Sequence, residues 1–259
     1  MKNKRRFMLF FMFLLLPITL NYFSPYIIID GLINKVISGA FLIWTIMFIT
    51  SLFVGRAFCS YICPYGGLQM VMDRAMEKPL KEVKFLRGFK YSLGVIWLCI
   101  ILFFLMISLG ELKFNPLYLT ENIISVDETM KVIGYYVIVV GIGLFPMIFG
   151  KRGSCHYICP MSIINIIGTK LSDRLNLPAL RLSSNSSKCE GCNKCTTACP
   201  MSLKVMDAVR SGNINKTECI LCGECTKACR NNAILRVYGR GNNLCQDKSK
   251  HQRNVEKNL

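Results

Sequence analysis

The sequence predicts a two-part protein: an α-helical membrane bundle of four transmembrane helices, followed by a small α+β domain. Three observations carry this. Four segments lack any charged residue over a membrane-spanning length, eight of the 14 cysteines form two matching runs in the last third of the chain, and the formal charge of +17 is distributed unevenly between the loops. Charge of that size can mark nucleic-acid binding, but no helix-turn-helix, zinc-finger or RNA-binding signature accompanies it, so no nucleic-acid partner is expected. Basic segments on the cytoplasmic side of a membrane protein give the same total.

The charge-free segments are residues 7–29, 36–55, 91–110 and 132–150, of 23, 20, 20 and 19 residues. A hydrocarbon core takes about 20 helical residues. The first is interrupted by Pro17 and by Ser24-Pro25. Its flank Lys4-Arg5-Arg6 resembles that of a signal peptide, but no small-residue cleavage site follows, and it is read as a retained anchor. Cys99 falls in the third span and is read as a packing residue.

The second and fourth spans end alike. Gly55-Arg56-Ala57-Phe58 leads into CSYICP, with Cys59, Cys63 and Pro64, while Lys151-Arg152-Gly153-Ser154 leads into CHYICP, with Cys155, Cys159 and Pro160. The membrane part is therefore itself duplicated, as two hairpins each ending in C-x3-C-P. Residues i and i+4 share a helix face, so each pair can present two thiols in one direction. Proline disfavours helical geometry in the residue before it, which puts each second cysteine at a last turn or a break. Cys59, Cys63, Cys155 and Cys159, with His156 as a further ligand or proton carrier, form a candidate additional redox or metal site. The competing reading is simple packing of small apolar thiols. Residues 67–77 and 161–175 beyond each motif can lie amphipathically along the membrane surface or continue the bundle as ordinary extensions.

After a linker over 171–187, which contains the run SSNSS, come CEGCNKCTTACP and CILCGECTKACR. Each cysteine of the first run, Cys189, Cys192, Cys195 and Cys199, recurs 30 residues later as Cys219, Cys222, Cys225 and Cys229. The spacing C-x2-C-x2-C-x3-C is that of a ferredoxin-like domain with two [4Fe–4S] clusters, in which the fourth cysteine of each run ligates the other run's cluster. Three thiolates two residues apart wrap three corners of a cubane, and the fourth corner needs a ligand from elsewhere. One cluster is thus assigned to Cys189, Cys192, Cys195 and Cys229, the other to Cys219, Cys222, Cys225 and Cys199. Zinc would need only two C-x2-C pairs and would leave the other cysteines unexplained. Residues 203–211 read as helix, and 233–237 as strand. The polar tail 241–259, with Cys245, reads as disordered. The resulting domains are 1–170, the linker 171–187, 188–240 and the tail.

Loop charge sets the expected orientation. Residues 56–90 carry seven basic and three acidic side chains and residues from 151 onward eighteen and seven, whereas 111–131 carries Glu111, Glu121, Asp127 and Glu128 against two lysines. The positive-inside rule places both termini and the cysteine-rich domain in the cytoplasm of a multi-pass inner-membrane protein. Thiolate ligands also require a reducing compartment. No haem b is expected, because the only histidines, His156 and His251, lie outside the spans. No dinucleotide fingerprint or P-loop is present, so flavin is not indicated and nucleotide chemistry has no seat.

Two C-x3-C-P hairpins followed by a two-cluster domain resemble the membrane polyferredoxins related to NapH, a subunit associated with quinol dehydrogenation in periplasmic nitrate reductase systems. The combination is shared with the ferredoxin parts of NosR-type and CcoG-type proteins, which serve nitrous oxide reduction and copper handling. The resemblance implies electron transfer at the cytoplasmic membrane. NosR-type proteins resemble the chain only in part, since no stretch here is long enough for an added extracytoplasmic flavin domain, and Arg230 follows Cys229 where a proline follows Cys199 in the other run. The expected function is electron relay between a membrane redox partner or quinone and another redox protein, as a subunit more than a complete enzyme. The alternative is a redox-sensing or metal-reducing assembly factor. Lys188, Lys194, Lys216, Lys227 and Arg230 around the runs could dock an acidic electron-transfer protein or face an anionic leaflet.

Overall fold

The computed structural model describes residues 2–75, 79–80, 83–108, 113–118 and 129–240. The tail with Cys245, and the loop acids Glu111, Glu121, Asp127 and Glu128, lie outside the described residues. The chain divides into two compact units, residues 1–48 with 61–164, and residues 49–60 with 165–259. This differs from a single cut near residue 170. The end of the second span and its first cysteine belong with the cysteine-rich part.

The chain opens with α1 (Lys2–Leu14), α2 (Leu16–Thr19) and, after a 3-10 turn, α3 (Pro25–Ile33). The expected first spanning helix is therefore broken. Pro17 lacks an amide to donate and Pro25 forces Ser24 into extended backbone, so neither residue can continue a helix begun at Lys2. Strand β1 (Val36–Ser38) leads into α4 (Gly39–Val54), α5 (Phe58–Tyr61), α6 (Pro64–Ala75) and α7 (Lys84–Ser108). Strand β2 (Lys113–Asn115) pairs in parallel with β1, and α8 (Thr129–Phe149), α9 (Gly153–Tyr157) and α10 (Pro160–Arg174) follow.

Among the described residues, three helices are long and apolar enough to cross a membrane: Gly39–Tyr61, Phe85–Ser108 and Val132–Phe149. Their outward side chains, such as Ile96, Phe103 and Val137, are large, apolar and exposed, as a lipid-facing surface requires. Pro146 inside α8 is tolerated in such a helix, where neighbours re-satisfy the freed carbonyl. Cys99, read as packing, is exposed on α7 instead.

In the first unit, α1 packs along α6, where Gly67 lets the Leu9 backbone approach closely. At the other end of α7, Ser108 Oγ donates to the Leu32 carbonyl at 2.9 Å, and the Lys113 amide to the Lys35 carbonyl. The broken segment 2–33 thus runs from the end of the unit that holds α6 to the far end of α7. Helix α6 is covered by α1 and α8, so residues 67–75 are a packed element of the bundle and not a surface-lying amphipath.

The second unit is organised by β3 (Ala179–Ser184), α11 (Lys194–Thr197), α12 (Val205–Arg210), α13 (Glu224–Ala228) and β4 (Ile234–Gly239). The two strands pair antiparallel from Ala179↔Gly239 to Ser184↔Ile234, joining the beginning and end of the cysteine-rich stretch. Ser183 and Ser184, read from composition as linker, belong to this ladder. Between the strands the backbone is duplicated as the sequence is. Positive φ occurs at Gly191, Asn193 and Ser202 and again at Leu221, Gly223 and Asn232, each 30 residues on.

Candidate iron–sulfur sites

The paired left-handed turns wrap each C-x2-C-x2-C run around a chamber. Cys199, Cys219, Cys222 and Cys225 line one, together with Leu182, Met201, Val205 and Ile214. Cys189, Cys192, Cys195 and Cys229 line the other, beside Lys188, Glu190, Lys194 and Arg230. In each chamber the fourth cysteine comes from the opposite run. Among the described residues, no group of three or more His, Cys, Asp or Glu is arranged for a single metal ion. Each chamber is lined by four sulfurs, the number that a [4Fe–4S] cluster takes.

The electrostatics agree with that geometry. Burial, then a backbone hydrogen bond from Leu221 acting the other way, then the neighbouring thiolates of Cys222 and Cys199, leave the Cys219 thiol raised to about 12. Cys225 is likewise raised, by burial first and then by Cys222, Cys219 and Cys199. Free thiolates are disfavoured here, and a bound cation would reverse this, releasing protons as it binds. Amide donors are in place as well, with Ala233 N–H donating to Cys229 Sγ at 3.3 Å. The residues present therefore fit [4Fe–4S] clusters, whose binding would release the protons of these thiols.

The chambers differ in exposure: Cys222 and Cys225 are buried in one, whereas Cys192 is exposed at the other, and exposed basic side chains flank both, Lys204 and Lys216 at the first of these and Lys188, Lys194 and Arg230 at the second.

The C-x3-C-P segments fold as their prolines dictate. Cys63 and Cys159 each stand outside helix with Pro64 and Pro160 opening α6 and α10. The Cys63 carbonyl accepts from the Gly67 amide at 3.1 Å, so Cys63 caps its helix. Cys59, Cys63 and Cys155 are buried, and Cys159 is half-buried. In the first unit the buried Tyr65 phenol is raised above the ordinary range, by burial first and then by the Cys63 and Cys159 thiolates. His156 is buried in α9 against Tyr157, and Cys155 lies in the same helix. Cys59 falls in the second unit, where the Asn165 amide donates to its sulfur at 3.9 Å.

Sequence reasoning missed a buried polar set. Arg56 and Arg152 are both 1% exposed, and Gln69 and Asn165 are 1% and 0% exposed. Each pair is separated by 96 residues, the spacing of Cys59 and Cys155. Both arginines stand in the repeat as read above, and extending it five residues beyond its proline would have added the two amides. A charge and an amide recurring in register beside apolar spans are too costly to bury without partners. Arg152 donates to the Gly66 carbonyl at 3.5 Å in the first unit. In the second unit Arg56 donates to Glu218 Oε2 at 2.8 Å and to the Thr217 carbonyl at 3.1 Å.

A family described as 4Fe-4S binding domain matches twice, over residues 38–82 and 133–178, and one described as 4Fe-4S dicluster domain matches residues 188–234. The chain is similar to the Escherichia coli K12 protein YccM, whose name assigns it provisionally to electron transport, at 24% identity over 73% of this chain and 54% of that protein. It is 25% identical to an uncharacterized Methanocaldococcus jannaschii protein, over 71% of this chain and 69% of the relative. It is 28% identical to the methylamine utilization ferredoxin-type protein MauN of Methylobacillus flagellatus, over 58% of this chain and 50% of that one. The alignments thus span about half the length of YccM and MauN. No solved structure matches. The class these findings define is a ferredoxin-type iron–sulfur protein with 4Fe-4S binding domains and three apolar helices of membrane-spanning length.

Proposed function

We propose that this protein relays single electrons through two [4Fe–4S] clusters between a membrane redox partner or quinone and a soluble redox protein, as a NapH-like polyferredoxin of the cytoplasmic membrane. The observation that carries the reading is the pair of four-cysteine chambers, each completed by the opposite run. Cys189, Cys192, Cys195 and Cys229 would hold one cluster and Cys219, Cys222, Cys225 and Cys199 the other. Such clusters supply one-electron exchange at potentials set by charge, hydrogen bonds and exposure. The names of YccM and MauN point the same way.

The unlike chambers suggest different duties. Exposed Cys192 and the basic side chains around the first run suit exchange with an acidic soluble protein, because complementary charge raises encounter rate. The apolar second chamber suits an internal station. Protein purified anaerobically in detergent should contain about eight iron and eight acid-labile sulfide atoms from these two sites. Stoichiometric zinc with negligible sulfide would refute the assignment.

The topology proposed has both termini and the cysteine-rich unit in the cytoplasm, with the broken segment 2–33 supplying the first crossing beside three continuous helices. Its support is the path of that segment from α6 to the far end of α7, together with the loop charge. Reporter fusions at Asp30 and Glu121 are expected to score as extracytoplasmic, and fusions after Leu175 as cytoplasmic. A cytoplasmic score at Asp30 would mean that the first segment does not cross.

A further inference from the structure

The 30-residue repeat of this chain is broken at one place. Thirty residues before Glu218 and Thr217, the first run has Lys188 and Ser187, both exposed. In the second unit the arginine of the first C-x3-C-P segment meets the acid that directly precedes a cluster-run cysteine. Arg56 is 1% exposed and the Glu218 side chain 9%. Next to it, Gly55 adopts φ +56°, and a Cβ there would come within 2.9 Å of Leu221 Cδ1, a residue lying between Cys219 and Cys222. Arg56 and Cys219 line the same cavity. The segment 55–56 is thus seated on the backbone of the second run, and a fixed charge is built into the contact.

We propose that the Arg56–Glu218 pair sets the reduction potential of the second-run site, making it the station coupled to the first C-x3-C-P segment. This rests on the two-cluster reading above. Reduction adds negative charge to the site, so a buried cation beside it favours the reduced state, and a buried anion opposes it. The guanidinium is the end of the pair that acts on this site, since Arg56 lines one cavity with Cys219. The first-run site has an exposed lysine at the equivalent place, where solvent screens the charge. The same fold therefore holds two sites of different potential, which a directional relay needs.

The test is a redox titration of the full-length protein in detergent, followed by electron paramagnetic resonance, with iron counted in each sample. Arg56→Gln should lower the potential of the second-run cluster so that its oxidised-to-reduced ratio at fixed potential rises at least tenfold, or 59 mV for one electron. Glu218→Gln should move it in the opposite direction. Arg56→Lys should stay near wild type, and the first-run cluster should be unchanged in all three. Shifts of equal sign in the Arg56→Gln and Glu218→Gln proteins, or no shift, would overturn the proposal. So would an Arg56→Lys shift as large as that of Arg56→Gln, since geometry and not charge would then be responsible. If Arg56→Gln fails to retain iron, Glu218→Gln decides alone, and a potential at or below wild type overturns the idea. Failure of the underlying reading is visible earlier, as a wild-type protein without two reducible cubanes.

Discussion

Replacing Cys199 with Ser is expected to remove the cluster of the second run and leave that of the first. This is the larger of two effects that separate the crossed arrangement from a local one. Cys199 follows Cys189, Cys192 and Cys195 in sequence, yet it lines the chamber of Cys219, Cys222 and Cys225. Its thiolate is also among the charges that raise both Cys219 and Cys225. Cys229→Ser should give the mirror result, since that sulfur lines the chamber of the first run. Iron content should fall by about half in each variant, with one of two paramagnetic signals lost. The lost signal should belong to the apolar, enclosed site for Cys199→Ser and to the exposed site for Cys229→Ser. Loss of the first-run signal in Cys199→Ser would show that each run ligates its own cluster.

The crossed pairing is expected from covalent spacing, because a tight loop reaches three corners of a cubane and no more, and the lining of the two chambers supports it. The three continuous spans were legible for a similar reason, since about 20 uncharged residues leave little choice in lipid. The first span misled because hydropathy sums over a segment, while helix continuity fails at single residues, here Pro17 and Pro25. Ser183 and Ser184 misled because a Ser-rich composition says nothing about a strand partner that lies at Ile234 and Leu235. The buried arginines were hidden in plain sight. A basic residue at the end of a span reads as positive-inside charge, and only packing reveals that Arg56 is turned onto Glu218 and away from water. Its register with Arg152 was visible, but a repeat is informative only when its full length is read.

Cys63→Ser and Cys159→Ser are each expected to slow electron delivery from a membrane donor by about tenfold or more, equivalent to about 1.4 kcal/mol at the barrier. The soluble clusters should remain intact by iron content and paramagnetic resonance. The two sulfurs occupy equivalent places in the repeat, each before the proline that opens a helix. A helix N-terminus favours a thiolate over a thiol. Both act on the single Tyr65 phenol, so they lie on the same side of the first unit. If they serve one step, the double variant should be little slower than either single one, because the second change removes a group whose partner is already gone. Additive losses would assign them to separate roles. Thiols that only fill space should tolerate Cys→Ala with the reduction rate unchanged, since a small buried cysteine behaves as an apolar side chain. That outcome, at normal protein level, would leave the eight cysteines of the two runs as the whole redox machinery of this chain.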